Sequence, residues 1–476
     1  MASAGSWRSL LRPQAAAAAA AAPLPQIRAI LPSASKSSFS TTSSLNKVIA
    51  RAKKQDSREQ KTTKDVVKKR KKANQPSVAR KPGPGERKAY RKRIQLSNNS
   101  ALEVKGLGAL EPWTLADPES SCKMFALPDS VVDQLRALEA FKATQSWNLF
   151  RKPHVLVRKE VARFVADIEA AKDKKEALRA VLVGSKLSGK SMTVLQALAH
   201  ALLNEWVVIH LPEGQDLTNG NTEYSPVNPD GNLIKFAQPN YTMRLMQNIY
   251  KVNKALFDAI ELQKDHSRTT ALVTGGRKVT LGDLMLSLKE NDFAWPTFAA
   301  MWEELTLPGR PPIMFTLDGL SHVNKLSAYR DPSFKPVHSH DLTLIGTFFD
   351  ALSGKTKLPN GGAIIAANSE SNVQRHPSQD LAISQIEARQ AGAEAPAPDP
   401  YERGYDDRVH SALRNARVLR LEGVDQEESR ALMNYWAASG MMRKTVDNAT
   451  VAQNWTLGGH GIVGEMERGA LMTMRM

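Results

Sequence analysis

Val181-Leu182-Val183-Gly184-Ser185-Lys186-Leu187-Ser188-Gly189-Lys190-Ser191 fits the pattern G-x-x-x-x-G-K-[ST] without deviation. A short apolar run precedes it and a helix-spaced stretch, Met192 to Leu203, follows, so the segment reads as strand, turn, helix. The residue types dictate the chemistry. Gly184 and Gly189 let the backbone curl, so that the N–H groups of Ser185, Lys186, Leu187 and Ser188 point inward at phosphate oxygens. The helix N-terminus, through Met192, adds its positive dipole. Lys190 reaches the β- and γ-phosphates, and the Ser191 hydroxyl is placed to ligate Mg²⁺.

A phosphate loop of this kind demands a buried strand that ends in a metal-side carboxylate. Pro312 to Asp318 supplies it, with four apolar residues among the five before Asp318. ATPases with an inserted sheet strand usually carry a Glu directly after this acid to activate water; here the neighbour is Gly319. A third apolar run, Gly362 to Ala367, ends in Asn368, which either senses a γ-phosphate, holds the attacking water, or caps Ser369-Glu370. Guanine specificity through N-K-x-D is absent, since Asn324-Lys325-Leu326-Ser327 lacks the acid. The motif therefore leaves guanine and adenine both open.

Around these pieces, short β-type runs at Ala180–Val183, Trp206–Leu211, Ile313–Leu317, Ala363–Ala367 and Val418–Leu421 alternate with helical stretches. That alternation predicts an α/β fold, a parallel sheet with helices on both faces, of the P-loop NTPase (AAA-like) type. Helices are expected from Ser130 to Ala143 and from Val155 to Ala171, and loops at Thr218–Asp230 and Ala391–Tyr401. The expected organisation is an N-terminal helical region (101–175), a nucleotide-binding domain (176–390), and a last strand with a smaller C-terminal helical unit (391–476). His338-Ser339-His340-Asp341 is too poor in further ligands to read as a metal site. Arg403, Arg408, Arg414, Arg417 and Arg420 lie where the sequence does not show whether any reaches the nucleotide.

Charge divides the chain sharply. The 476 residues carry a net charge of +17, yet residues 1–100 hold 23 Lys/Arg against 4 Asp/Glu, leaving the remainder close to neutral. The first 45 residues are acid-free, with Arg8, Arg12, Arg28 and a Ser/Thr cluster, the composition of a mitochondrial transit peptide and hence a matrix address. Residues 46–100 form a basic arm with runs Lys68-Lys69-Arg70-Lys71-Lys72 and Arg91-Lys92-Arg93, poor in apolar residues and expected to be disordered when free. Such an arm seeks a polyanion, RNA above all, because neutralised phosphates release counterions. Cys122 is the single cysteine, which excludes an intramolecular disulfide. The longest apolar run, Ala15 to Ala22, is far short of the roughly 20 residues that span a bilayer, so no membrane insertion is expected.

Together the Ala137–Lys142 stretch, Trp147 to Arg158, the phosphate loop, Trp206 to Pro212, Phe236 to Pro239, Leu317-Asp318-Gly319 and Leu421-Glu422-Gly423 resemble the death-associated protein 3 family, in a fungal-type form. The resemblance spans roughly 120–440 and does not include the basic arm. It implies a GTP-binding component in the head of the mitochondrial small ribosomal subunit. Its expected partners are ribosomal RNA, other small-subunit proteins and the large-subunit contact. It also implies a structural nucleotide, GTP or GDP, with ATP as the alternative. The competing expectation is an active AAA-like ATPase or GTPase, a motor or ribosome assembly factor. Gly319 in place of a catalytic Glu favours the structural reading.

Overall fold

The computed structural model describes residues 94–227, 234–272, 278–370 and 376–472. The acid-free leader and the basic runs at Lys68–Lys72 and Arg91–Arg93 lie outside the described residues. The core element is a five-stranded sheet of β1 (Ala177–Gly184), β2 (Val207–Leu211), β3 (Ile313–Asp318), β4 (Gly362–Ala367) and β5 (Arg417–Leu421). Its order is β5-β1-β4-β3-β2, with every pairing parallel. The strand β4 thus lies between the phosphate-loop strand and the strand ending in Asp318, the inserted-strand arrangement.

The strands read as nearly continuous apolar runs because both faces are covered. Alternate residues divide between the two faces. Ala180, Leu182, Val208, Met314 and Ile365 pack with α1 (Asp129–Ala137), α2 (Lys159–Asp173) and α3 (Lys190–Leu203). Val181, Val183, Ile209, Phe315 and Ile364 face the other way. There they meet α4 (Pro239–Ala259), α5 (Ala294–Leu305), α6 (Thr343–Ser353) and α7 (Pro377–Ala391). A third cluster joins the C-terminal helices α8 (Gln426–Ala438), α9 (Asn448–Leu457) and α10 (Val463–Glu467) to Phe150 and Leu156.

One edge of the sheet is closed by a side chain. At Asn253 the helix α4 leaves helical geometry (φ −99°, ψ 17°). The Asn253 carboxamide accepts from Val208 N at 2.8 Å and donates to Val208 O at 2.9 Å, satisfying backbone groups that an edge strand leaves bare.

Three local expectations are corrected. The first helix stops at Ala137 rather than Ala143, and Glu139 turns into the left-handed region (φ 58°) so that the chain can leave the helix. Val155 and Leu156 are strand, not helix: His154–Leu156 pairs antiparallel with Met124–Ala126, which pairs with Gly108–Ala109. All three residues of that strand are buried, so period-3.6 spacing was misleading there, and α2 begins only at Lys159. The N-terminal region is consequently a mixed sheet with helices. Within the expected loop Thr218–Asp230, Ser225–Val227 pairs antiparallel with Lys235–Ala237. Among the described residues, no helix is long and apolar enough to cross a membrane.

Candidate functional site

Strand register brings the motif residues to one edge. Asp318 is paired with Ala367, and Ala367 with Leu182, so β1, β3 and β4 end together. Gly319 N donates to Ala367 O at 3.0 Å and Asn368 N to Leu182 O at 2.9 Å, which fixes the height of each exit. The carboxyl edge of a parallel sheet is where open α/β folds bind their ligands.

The loop from Gly184 to Gly189 curls as its sequence requires. Gly184 (φ 149°) and Gly189 (φ 105°) occupy conformations that side chains rarely adopt. A methyl on Gly184 would overlap the Leu421 carbonyl oxygen, so this glycine is also needed for the close approach of β5. Leu187, at the loop's turn, is left-handed too (φ 66°). Ser185 and Lys186 are exposed, Ser188 is buried, and Lys190 opens helix α3. The Lys190 ammonium folds back to donate to Gly184 O (2.6 Å) and Ser185 O (2.7 Å), and burial lowers its pKa. Ser191 Oγ donates to Asp318 Oδ2 at 2.8 Å. A hydroxyl and a carboxylate converging in this way are hard oxygen donors of the kind Mg²⁺ takes, so these residues fit the ion.

Two basic residues that no motif announces complete the surroundings. Lys142 Nζ stands 3.2 Å from Asp318 Oδ2 and also donates to Pro212 O. Arg158, buried beneath the loop, donates to Ser188 O (2.9 Å), Glu160 (2.8 Å) and Glu422 O (2.8 Å). It ties the loop to the start of α2 and the end of β5. Both lie near the ends of stretches read from the sequence as helices, where a lone basic residue forms no motif, and only the fold brings them to the loop.

Asn368 lines the same cavity, but its Oδ1 already accepts from Ser321 Oγ and from Gln379 Nε2 at 3.0 Å. What it still offers a ligand is its amide donor. Gly319 is left-handed (φ 90°) and opens the short helix Leu320–Val323, and a side chain there would press on His322 and Gly214. Among the C-terminal arginines, Arg408 pairs with Asp341, Arg417 with Asp167 and Arg420 with Glu387. The only arginines lining the cavity among the described residues are Arg158 and Arg468. His340 hydrogen-bonds Asn324 at 3.1 Å and packs on Phe349, and burial pushes its pKa down to about 2. The His338–Asp341 stretch is thus a packed, hydrogen-bonded turn.

The cavity has a volume of about 460 Å³. The phosphate loop, Lys142, Asp318 and Asn368 form its polar side; Met124, Phe150, Leu156, Leu432 and Trp436 supply apolar walls. A polar anchor joined to an apolar recess is the usual make-up of a small-molecule site.

The family described as mitochondrial ribosomal death-associated protein 3 matches residues 155–469. A Neurospora crassa protein described as small ribosomal subunit protein mS29 is 46% identical over 412 residues, covering 86% of this chain and 87% of its own. A Schizosaccharomyces pombe protein of the same description is 23% identical over 371 residues, covering 76% and 73%. Among solved structures, a Walker-type ATPase of Pyrococcus abyssi is similar at a TM-score of 0.33 and 14% identity, over 70% of this chain and 72% of that one.

Proposed function

The chain belongs to the mitochondrial ribosomal death-associated protein 3 family, and from that premise we propose a small-subunit component of the mitochondrial ribosome that holds a purine nucleotide as part of its fold. The nucleotide is GTP or GDP with Mg²⁺, and the protein resides in the matrix. Ribosomal RNA and neighbouring small-subunit proteins are its partners, with the basic arm reaching RNA. The observation that carries the nucleotide reading is the convergence of Lys190, Ser191 and Asp318 on one cavity below the loop Gly184–Gly189. Ribosomal membership is supported by the description of relatives that align over most of their length.

A structural rather than a motor role follows from Gly319. Water attack on a γ-phosphoryl group needs a side chain that orients the nucleophile or takes its proton. Asp318 faces Ser191 and Lys142, Gly319 has no side chain, Asn368 has its oxygen engaged, and Glu370, the other acid of the phosphate end, is exposed and acts on Lys190. Turnover should therefore fall well below the roughly 1–100 s⁻¹ of kinases. The test is co-sedimentation of the native protein with mitochondrial small subunits, identification of the nucleotide released on denaturation, and single-turnover hydrolysis. Lys190→Ala should release no nucleotide and melt lower, since a ligand bound only to the folded state stabilises it by about 4 kcal/mol at 1,000-fold saturation. Equal melting of Lys190→Ala and wild type, or hydrolysis at about 1 s⁻¹ that Lys190→Ala abolishes, sinks the structural-nucleotide reading.

A further inference from the structure

We propose that the apolar part of the cavity is a guanine site, in which the Glu467 carboxylate accepts the N1–H and exocyclic amine of the base. The proposal rests on the nucleotide reading of the phosphate loop and adds to it the residue that chooses the base.

Glu467 is held beside the loop by backbone contact. Gly464 N donates to Leu187 O at 3.2 Å, and a Cβ on Gly464 would crowd Leu187, so α10 can dock here only through a glycine. Gly464 and Glu467 are three residues apart, hence on one face of that helix. The Ser146 hydroxyl on the facing segment is near enough to favour the charged form of the Glu467 carboxylate. Next to it, Gln145 Nε2 lies 3.2 Å from the sulfur of Met192, the residue after Ser191. The acid is thus linked on both sides to the phosphate end of the cavity.

Its neighbours suit a purine. Leu432 and Trp436, one turn apart on α8, present a common wall, and Phe150 adds a second aromatic surface. Of the other polar groups of this region, Gln145 and His154 are engaged, while Gln196 donates to Leu156 O and keeps its neutral Oε1 without a partner. Gln145 Oε1 takes the Lys142 N–H (2.8 Å) and Trp147 Nε1 (2.7 Å). His154 hydrogen-bonds the Tyr435 hydroxyl at 3.0 Å, and burial lowers its pKa to about 4, so it is neutral. The remaining cavity acids belong to the phosphate end: Asp318 faces Ser191, and Glu370 acts electrostatically on Lys190. Glu467 is by contrast short of partners. Burial raises its pKa despite Arg468, whose guanidinium turns to Glu465 at 3.1 Å.

An ionised carboxylate only accepts hydrogen bonds. Guanine offers it two donors on one edge, whereas adenine presents a ring-nitrogen lone pair there. A site built around a buried hydrogen-bonding partner rejects the ligand that lacks it by far more than an apolar pocket can.

The test uses the full chain stripped of nucleotide, with calorimetric titration of GDP, IDP, XDP and ADP at fixed Mg²⁺. Wild type should bind GDP on the order of 100-fold tighter than ADP, and IDP, which lacks the exocyclic amine, more weakly than GDP. Glu467→Gln should lose GDP and gain XDP, because its amide donates to the xanthine carbonyl that replaces the amine. A merely structural role for Glu467 cannot produce that gain. Wild type binding IDP or ADP as tightly as GDP overturns the proposal without any variant. Glu467→Gln binding GDP like wild type, while Lys190→Ala does not bind, overturns it and leaves the nucleotide reading standing. Absence of all nucleotide binding to wild type removes both.

Discussion

Lys142 sets an ammonium 3.2 Å from the carboxylate oxygen that Ser191 also touches, with both members of the pair mostly buried. A cation held there does part of what Mg²⁺ does: it neutralises Asp318 and lowers the cost of bringing phosphate charge to the loop. Removing it leaves a partly buried carboxylate without a counter-charge, which is more costly than the intact pair is favourable. Lys142→Met should therefore weaken nucleotide binding roughly tenfold (about 1.4 kcal/mol) in EDTA, and much less in Mg²⁺, where the metal takes over the neutralisation. Titrations in both buffers check this, and an equal loss in each would contradict it. The loop itself was legible in the sequence, because its geometry permits few residue types at Gly184, Gly189, Lys190 and Ser191. Lys142, Arg158 and Glu467 were not legible as site residues. Each reaches the loop through tertiary packing, and a lone Lys, Arg or Glu outside any motif carries no pattern.

Elements depend on a few polar side chains that stand in for missing backbone partners. Asn253→Ala would strip both hydrogen bonds from Val208 at the edge of the sheet and leave buried amide groups unsatisfied. The expected cost is about 2–4 kcal/mol of unfolding free energy in denaturant titration, with Asn253→Asp intermediate because it keeps the acceptor. A loss within experimental error would mean that water satisfies that edge instead. Glu304 acts similarly for α5. Its buried carboxylate accepts from Gln263 N and Lys264 N, and pairs with Arg310 at 2.6 Å and His266 at 3.2 Å. Burial alone would raise its pKa, but these donors outweigh it and hold the carboxylate below its ordinary 4.5. A depressed folded pKa stabilises the protein above the ordinary value and loses that contribution as pH falls through the depressed one. Melting of wild type should therefore drop below about pH 4.5 more steeply than melting of Glu304→Gln, already lower at neutral pH. Parallel curves would exclude this carboxylate as the cause. Strand positions in the sheet were legible because burial on both faces leaves short apolar runs between helices. The three-residue strand His154–Leu156 was hidden, since its apolar residues continue into the spacing of α2 and no turn residue separates them.

At the scale of the molecule, charge is partitioned: 23 Lys/Arg against 4 acids in the first 100 residues, out of totals of 65 and 48. The expected disordered arm ends earlier than residue 100, since Leu96 is buried in the core and Asn98 N donates to Phe150 O at 2.9 Å. If residues 46–93 are the RNA-reaching part, their deletion should leave nucleotide content and melting unchanged. It should weaken association with small subunits and flatten its dependence on salt, by about 0.7–0.9 in log–log slope for each phosphate that the arm no longer neutralises. Unchanged salt sensitivity of the truncated chain would assign RNA binding to the near-neutral remainder. The docking of Gly464 on the turn of the phosphate loop has a separate consequence, for the order in which the protein matures. The two partners stand far apart in the chain, and synthesis and membrane import both deliver the loop first. A chain emerging from a ribosome or a translocation pore therefore displays an open loop long before its closing helix arrives. If the folded protein holds a nucleotide as proposed, that nucleotide is in this sense a receipt of completion: a chain truncated before Gly464 has the motif but lacks the helix that docks on it.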